Sequence, residues 1–187
     1  DDGYWFVKFY APWCAHCKRL APVWEHVGHH IADTNPLIRV GKIDCTLYQR
    51  ACQSLSISGY PSILFFREGQ VISYEGDRER DPMVQYALKC ASPAVTPIEN
   101  LNAYNEVKTK SQYEPAFIYI DEGKGVNDLS STFLEAANAL FSKNRFYSIS
   151  SKISPGYLEG GKVYVLRDGS AQVFQGKTEE LVSWAQS

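Results

Sequence analysis

Cys14 and Cys17 enclose Ala15 and His16, with Trp13 just ahead of them. Two cysteines at this spacing can exchange disulfides, help to hold a metal, or sit inert in a core. The flanking sequence decides among these. Upstream lies the apolar run Tyr4-Trp5-Phe6-Val7-Lys8-Phe9-Tyr10, which reads as a buried strand. Basic, helix-forming sequence follows Cys17. A strand that delivers two cysteines to the start of a helix makes a redox device. The first-turn N–H groups lack partners, and the positive helix end favours a thiolate. On this reading Cys14 is an exposed nucleophile that attacks a disulfide to give a mixed disulfide, and Cys17, one turn later, resolves it. His16 adds partial positive charge beside the thiolate, which favours the reduced form and makes the disulfide more oxidising. No second ligand cluster completes a metal site with Cys14, Cys17 and His16. Neither a metal nor an organic cofactor is expected.

The chain has 187 residues, 44% of them hydrophobic and 21% charged, with a net charge of -2. That composition suits one or two globular domains and offers no strong attraction to nucleic acid or an anionic membrane. No apolar run approaches the length of a membrane span. The chain opens almost inside its first strand, as a processed fragment would, so missing targeting signals say nothing of compartment. Of five cysteines, Cys14, Cys17, Cys45 and Cys52 fall in the first half and Cys90 closes it. Redox chemistry is therefore confined to that half.

The elements that must position the pair follow from periodicity. A helix is expected from Cys14 or Ala15 to about Ala32, with Leu20, Val23, Val27 and Ile31 on one face and a kink at Pro22. Strands are expected at 37–44, 63–67 and 71–74, the last two joined by the turn Arg67-Glu68-Gly69-Gln70. A short helix at 48–55 and a closing helix at 81–90 complete the half. Residues 91–97 read as a linker. Thereafter the order partly repeats: helix 98–107, strand 116–120, helix 129–141, strand 146–149, a hairpin around Arg167-Asp168-Gly169-Ser170, and a closing helix at 179–186. Two copies of one mixed α/β unit account for this better than a single large domain.

The ordered set Phe9-Tyr10-Ala11-Pro12-Trp13-Cys14-Ala15-His16-Cys17-Lys18, then Lys42-Ile43-Asp44, then Gly59-Tyr60-Pro61, resembles the thioredoxin superfamily. The protein disulfide isomerase branch is the nearest likeness, in particular its membrane-anchored, thioredoxin-related members of the endoplasmic reticulum. The resemblance implies an α/β fold of two tandem thioredoxin-like domains, each a mixed central sheet flanked by helices. Residues 1–91 would form the catalytic domain, without its usual initial strand and helix, and residues 92–187 a redox-inactive one. It further implies that Pro61 is cis and lies opposite the cysteines, where adjacent backbone pairs with an extended substrate. Trp13 and Tyr60 would border that substrate patch. Arg78 matches the arginine that lowers the resolving cysteine's pKa in the family, and Arg80 competes for the assignment. Cys45 and Cys52 match a structural disulfide of some relatives, against the rival reading of two buried thiols.

Two departures stand out. Ala15 occupies a position where the family most often has glycine. At Lys8 the branch carries a buried acid that takes the resolving thiol's proton, and Lys42 matches the lysine that pairs with that acid. Here both positions are lysine, so the relay is in doubt. Lys8 either acts as a neutral base or, if charged, stabilises thiolates. The second half has no cysteine pair, and Gly160-Gly161 stands where the first has Tyr60-Pro61.

The resemblance thus implies a thiol–disulfide oxidoreductase of the endoplasmic reticulum lumen, or the lumenal part of a membrane protein whose anchor lies outside this stretch. Its partners would be cysteine-containing client proteins, with glutathione or an upstream thiol oxidase or reductase. One alternative is a quality-control protein that traps clients as mixed disulfides with weak turnover. Another is the thioredoxin-like part of a flavin-linked sulfhydryl oxidase. A cytosolic reductase fits least, given His16, the second cysteine pair and the second domain.

Overall fold

In the computed structural model, which describes residues 3–187, the chain divides between Ser92 and Pro93 into two units. Residues 1 and 2, the start of the first expected domain, lie outside the described residues. The first unit runs β1 (Tyr4–Tyr10), α1 (Ala15–Thr34), β2 (Ile38–Asp44), α2 (Gln49–Ser54), β3 (Ser62–Arg67), β4 (Gln70–Ser73) and α3 (Arg80–Cys90). Its four-stranded sheet has the order β2-β1-β3-β4. β1 pairs parallel with β2 and antiparallel with β3, which sets Lys8 opposite Lys42 on one side and Ile63 on the other.

Alternation along β1 sorts its side chains. Phe6 points to the α1 side, where its ring lies 4.9 Å from that of Trp24. Lys8 and Tyr10 share its phase. Val7 and Phe9 point the other way and pack with the Cys45–Cys52 bridge and Leu64. On that second face a hollow of about 760 Å³ is lined by Trp5, Val7, Ile43 and Phe66, and by no cysteine.

Helix α1 runs without interruption through Pro22 to Thr34, and its buried face is Cys17, Leu20, Trp24, Val27 and Ile31. Trp24 therefore takes the deep position expected of Val23. Its indole N–H donates to the Gly41 carbonyl at 3.0 Å, so the polar atom is satisfied while the rings pack. Arg67, read from sequence as a turn residue, is buried. It donates to the carbonyls of Cys90 and Ser92 and so ties β3 to the end of α3.

The second unit runs β5 (Val95–Ile98), α4 (Leu101–Lys110), β6 (Ala116–Asp121), α5 (Asp128–Ala139), β7 (Arg145–Ser150), β8 (Val163–Arg167) and β9 (Ser170–Val173). A 3-10 turn at Thr178–Glu180 and α6 (Leu181–Gln186) follow. Its five-stranded sheet has the order β5-β7-β6-β8-β9. The stretch expected to be a linker followed by a helix thus contributes a strand first. β5 pairs only with β7, and an edge position tolerates the missing N–H of Pro97. The helix starts at Leu101 because the Asn100 side chain caps it by accepting from the Ala103 N–H at 2.9 Å. Tyr104 and Val107 of α4 cover Ile118, Ile149 and Leu166. The described residues of the first unit have no counterpart to β5 and α4, and the hollow lies on the matching sheet face.

Candidate active site

Cys14 is the N-cap of α1. Its backbone is extended, and its Sγ accepts the Cys17 N–H at 3.3 Å. A sulfur so placed takes one of the unpartnered first-turn donors that a Ser or Asp normally takes. The Tyr60–Pro61 peptide bond is cis, and it presents the Tyr60 carbonyl to the Cys14 thiol at 3.6 Å. Cys14 is consequently only 8% exposed, against the exposed position expected from sequence. The cover comes from residues 46 positions away, which local sequence cannot report. Trp13 stands out beside it, 70% exposed, with its ring edge-on to Tyr60 at 5.9 Å. Cys17 is 4% exposed and packs with Ala11 and Cys14, against which Tyr10 and Tyr60 lean. Both sulfurs are free thiols, so the pair stands in its reduced form.

Electrostatics separate the two. The Cys17 thiol and the N–H groups of Cys17 and His16 hydrogen-bond to the Cys14 sulfur and hold its pKa below the ordinary cysteine value, with further help from the Arg78 charge. Burial pushes the Cys17 thiol up, and its bond to Cys14 adds to the effect. One sulfur is therefore poised as thiolate and the other kept as thiol, which is the division of labour that exchange requires.

Arg78 helps to lower the Cys14 pKa and stands at a small hollow of about 110 Å³ shared with Pro61, Ile63 and Tyr74. Arg80 is taken up by Asp81 at 2.7 Å at the start of α3. His16 reaches the pair through its backbone N–H. Its exposed ring instead holds Arg19, with 2.7 Å between Nδ1 and the guanidinium. Arginine has no acceptor, so in this contact the guanidinium donates and Nδ1 accepts. Arg19 and Tyr10 are the neighbours of the pair that sequence reasoning missed. A basic residue one turn after His16 was the available signal for the first.

Lys8 lies on the α1 side of β1, 4% exposed, with Nζ 5.2 Å from the centre of the Tyr10 ring. Burial lowers its pKa, and the Lys42 charge lowers it further. Lys42 itself is exposed on β2. The two lysines repel where a salt bridge was the alternative. Cys45 and Cys52 form a disulfide on the opposite face, anchored by the Cys45 N–H to the Tyr10 carbonyl at 2.9 Å. Cys90 is a buried thiol, and burial raises its pKa.

In the second unit the corresponding loop is Gly123-Lys124-Gly125-Val126-Asn127. Asn127 caps α5 as Cys14 caps α1, by accepting the Ser130 N–H at 2.9 Å. Gly161, just before β8, has a φ of 73°, a conformation closed to proline. The described residues contain no group of side chains able to hold a metal, and no helix long and apolar enough to cross a membrane.

The thioredoxin family model matches residues 1–89. The chain is 34% identical to protein disulfide-isomerase TMX3 of Xenopus laevis, over 98% of this chain and 40% of that protein. It is 31% identical to a protein disulfide-isomerase of Aspergillus oryzae, over 97% of this chain and 35% of that protein. The chain thus spans two fifths or less of the length of these curated relatives. Among solved structures, form I of human ERp44 superposes with a TM-score of 0.70 over 99% of this chain and 52% of that one, at 23% identity. At that identity the likeness speaks to the fold alone.

Proposed function

The chain belongs to the thioredoxin superfamily, in its protein disulfide-isomerase branch, and on that premise we propose that it is a thiol–disulfide oxidoreductase acting on cysteine-containing client proteins. The observation that carries this reading is the Cys14 sulfur at the cap of α1. It is bonded by first-turn N–H groups and faced by the carbonyl that cis-Pro61 turns toward it. The Cys14 thiolate attacks one sulfur of a client disulfide, a mixed disulfide forms, and the other client sulfur leaves as a thiolate. Cys17 then attacks Cys14, closes the Cys14–Cys17 bond and releases the reduced client. In reverse, the closed pair oxidises a client dithiol. The Tyr60 backbone pairs with extended substrate, and Trp13 offers it an apolar surface.

The second unit is read as redox-inactive, since Asn127 and Gly161 stand where Cys14 and Pro61 stand in the first. Spacing the catalytic unit or holding substrate are the roles left to it. The Cys45–Cys52 disulfide supports an oxidising compartment, and with the disulfide-isomerase relatives it favours the endoplasmic reticulum lumen. Glutathione or an upstream thiol oxidase or reductase would reset the pair. A trapping function, with clients held as mixed disulfides, is favoured by the buried Lys8, which stands at the position where the family resemblance implies an acid that takes the Cys17 proton.

Reactivation of a scrambled disulfide-bonded protein tests the reading. The wild type restores activity, Cys14→Ala does not, and Cys17→Ala accumulates mixed disulfides on Cys14. A Cys14→Ala variant as active as wild type overturns it.

A further inference from the structure

Arg19 is an exposed cation one turn after His16, and the exchange chemistry leaves it without a role. Its guanidinium lies 2.7 Å from the Nδ1 of His16. Residues three apart on a helix are neighbours, so the contact follows from the register of α1. None of the ion pairs among the described residues gives Arg19 a carboxylate. The side chain turns back instead to the histidine that stands between the two cysteines.

His16 has two ways to act on the Cys14 sulfur. Its backbone N–H already bonds that sulfur. Its ring could add a positive charge by taking a second proton and turning toward the thiolate. The contact with Arg19 works against both steps. A nitrogen that accepts a hydrogen bond carries no proton, so the ring is neutral while the contact lasts. The contact also ties the ring toward the C-terminal side of α1, while Cys14 stands at the N-terminal cap. Among the described residues no hydrogen bond joins the ring to the Cys14 sulfur.

We propose that Arg19 is a positioning residue of the thiol pair. It holds the His16 ring off the Cys14 sulfur and keeps the Cys14–Cys17 disulfide less oxidising than a ring turned to the sulfur would make it. The inference rests on the oxidoreductase reading above.

Whatever stabilises the thiolate favours the dithiol, and whatever favours the dithiol makes the disulfide a stronger oxidant. With the ring held away, the Cys14 sulfur depends on the Cys17 thiol, the first-turn N–H groups and the Arg78 charge. Release of the ring adds a further cation. In exchange with glutathione, two glutathione thiols become one glutathione disulfide, and the Cys14–Cys17 disulfide takes up their two electrons and two protons. Arg19 shifts that equilibrium and takes no part in its bonds.

The sign of the effect separates this role from that of an ordinary surface charge. Arg19 is itself a cation near the helix start, so loss of its charge alone should raise the Cys14 midpoint. Under the proposal Arg19→Met lowers it, because the His16 ring is freed.

The full 187-residue chain is compared with Arg19→Met, His16→Ala and the double variant. Methionine keeps an unbranched stem and a good helix former but cannot donate, and residue 19 is exposed, so the fold should hold. Titration of thiolate absorbance should give a lower Cys14 midpoint in Arg19→Met than in the wild type. Alkylation of Cys14 in mild acid should quicken roughly two- to fivefold, the size of one exposed charge near a helix start. Equilibration with glutathione should move toward the dithiol by a similar factor. The double variant should show neither change relative to His16→Ala. A Cys14 midpoint that rises or holds in Arg19→Met overturns the proposal. So does a fall that persists in the double variant, since it would not pass through the ring. A wild-type pair that does not exchange with glutathione instead removes the oxidoreductase reading, and the titration still decides what Arg19 does to Cys14.

Discussion

The N–H of Cys17 donates to the Sγ of Cys14 over 3.3 Å, so the residue proposed to resolve the intermediate also stabilises the proposed nucleophile. The two thiols are coupled through this contact. Cys14 is held down by donors from the first turn, and Cys17 is held up by burial and by its bond to Cys14. Reactivity is thereby ordered within one helical turn.

The ordering predicts a pH profile. Alkylation of the reduced chain with iodoacetamide should modify Cys14 first, with a midpoint below that of an ordinary cysteine. Cys17 should react only well above it. Peptide mapping across the pH range reads both midpoints, and equal midpoints would contradict the asymmetry.

Arg78→Ala should raise the Cys14 midpoint, because the Arg78 charge helps to hold it down. Thiolate reactivity in mild acid should fall roughly two- to fivefold, the size of one exposed charge near a helix start. At high pH, where Cys14 is fully ionised, the variant should match the wild type.

His16→Ala should have a smaller effect on Cys14 than Arg78→Ala. The alanine keeps the backbone N–H that bonds the sulfur and loses only a ring whose Nδ1 is occupied by Arg19. Thiolate titration at 240 nm compares the two. A larger shift in His16→Ala would place the ring's charge at the sulfur after all.

Replacing Cys45 and Cys52 together by serine should lower stability by roughly 2–3 kcal/mol, from the short loop that the bridge closes. The pair lies on the sheet face away from the thiols, so the Cys14 midpoint should hold. Thermal unfolding of the oxidised chain and of the double variant reads the loss.

Lys8 also makes stability depend on pH. Its folded pKa is lowered, so between that value and the ordinary lysine range the unfolded chain binds a proton that the folded chain does not. Stability therefore rises with pH across this window. Lys8→Met should flatten the slope and stabilise the protein at neutral pH. Urea unfolding at several pH values measures both, and an unchanged slope would show that Lys8 stays charged in the folded chain. Lys8→Glu should resolve mixed disulfides faster than wild type in mild acid, where a carboxylate still accepts a proton and a lysine does not.

Much of this was legible in the sequence because it depends on local pattern. An apolar run placed β1, helical spacing placed α1, and the Cys14–Cys17 spacing put both sulfurs in one helical turn. The turns Arg67-Glu68-Gly69-Gln70 and Arg167-Asp168-Gly169-Ser170 marked both hairpins. The strand Val95–Ile98 escaped notice since it is short, carries Pro97 and is held by β7 alone, far away in the chain.

Sequence by itself pointed to the class of chemistry proposed here, thiol exchange at a helix start, since that reading follows from residue type and from neighbours within one turn. Only the tertiary structure decided how the site is furnished. The Tyr60 carbonyl covers Cys14, the Arg78 charge helps to lower its pKa, His16 bonds it through its backbone while its ring meets Arg19, and Lys8 is buried with its Nζ over the Tyr10 ring. Each of these depends on which strand lies beside which and on what a side chain meets across the core. Such contacts join residues tens of positions apart, and their energies exist only once the sheet has formed.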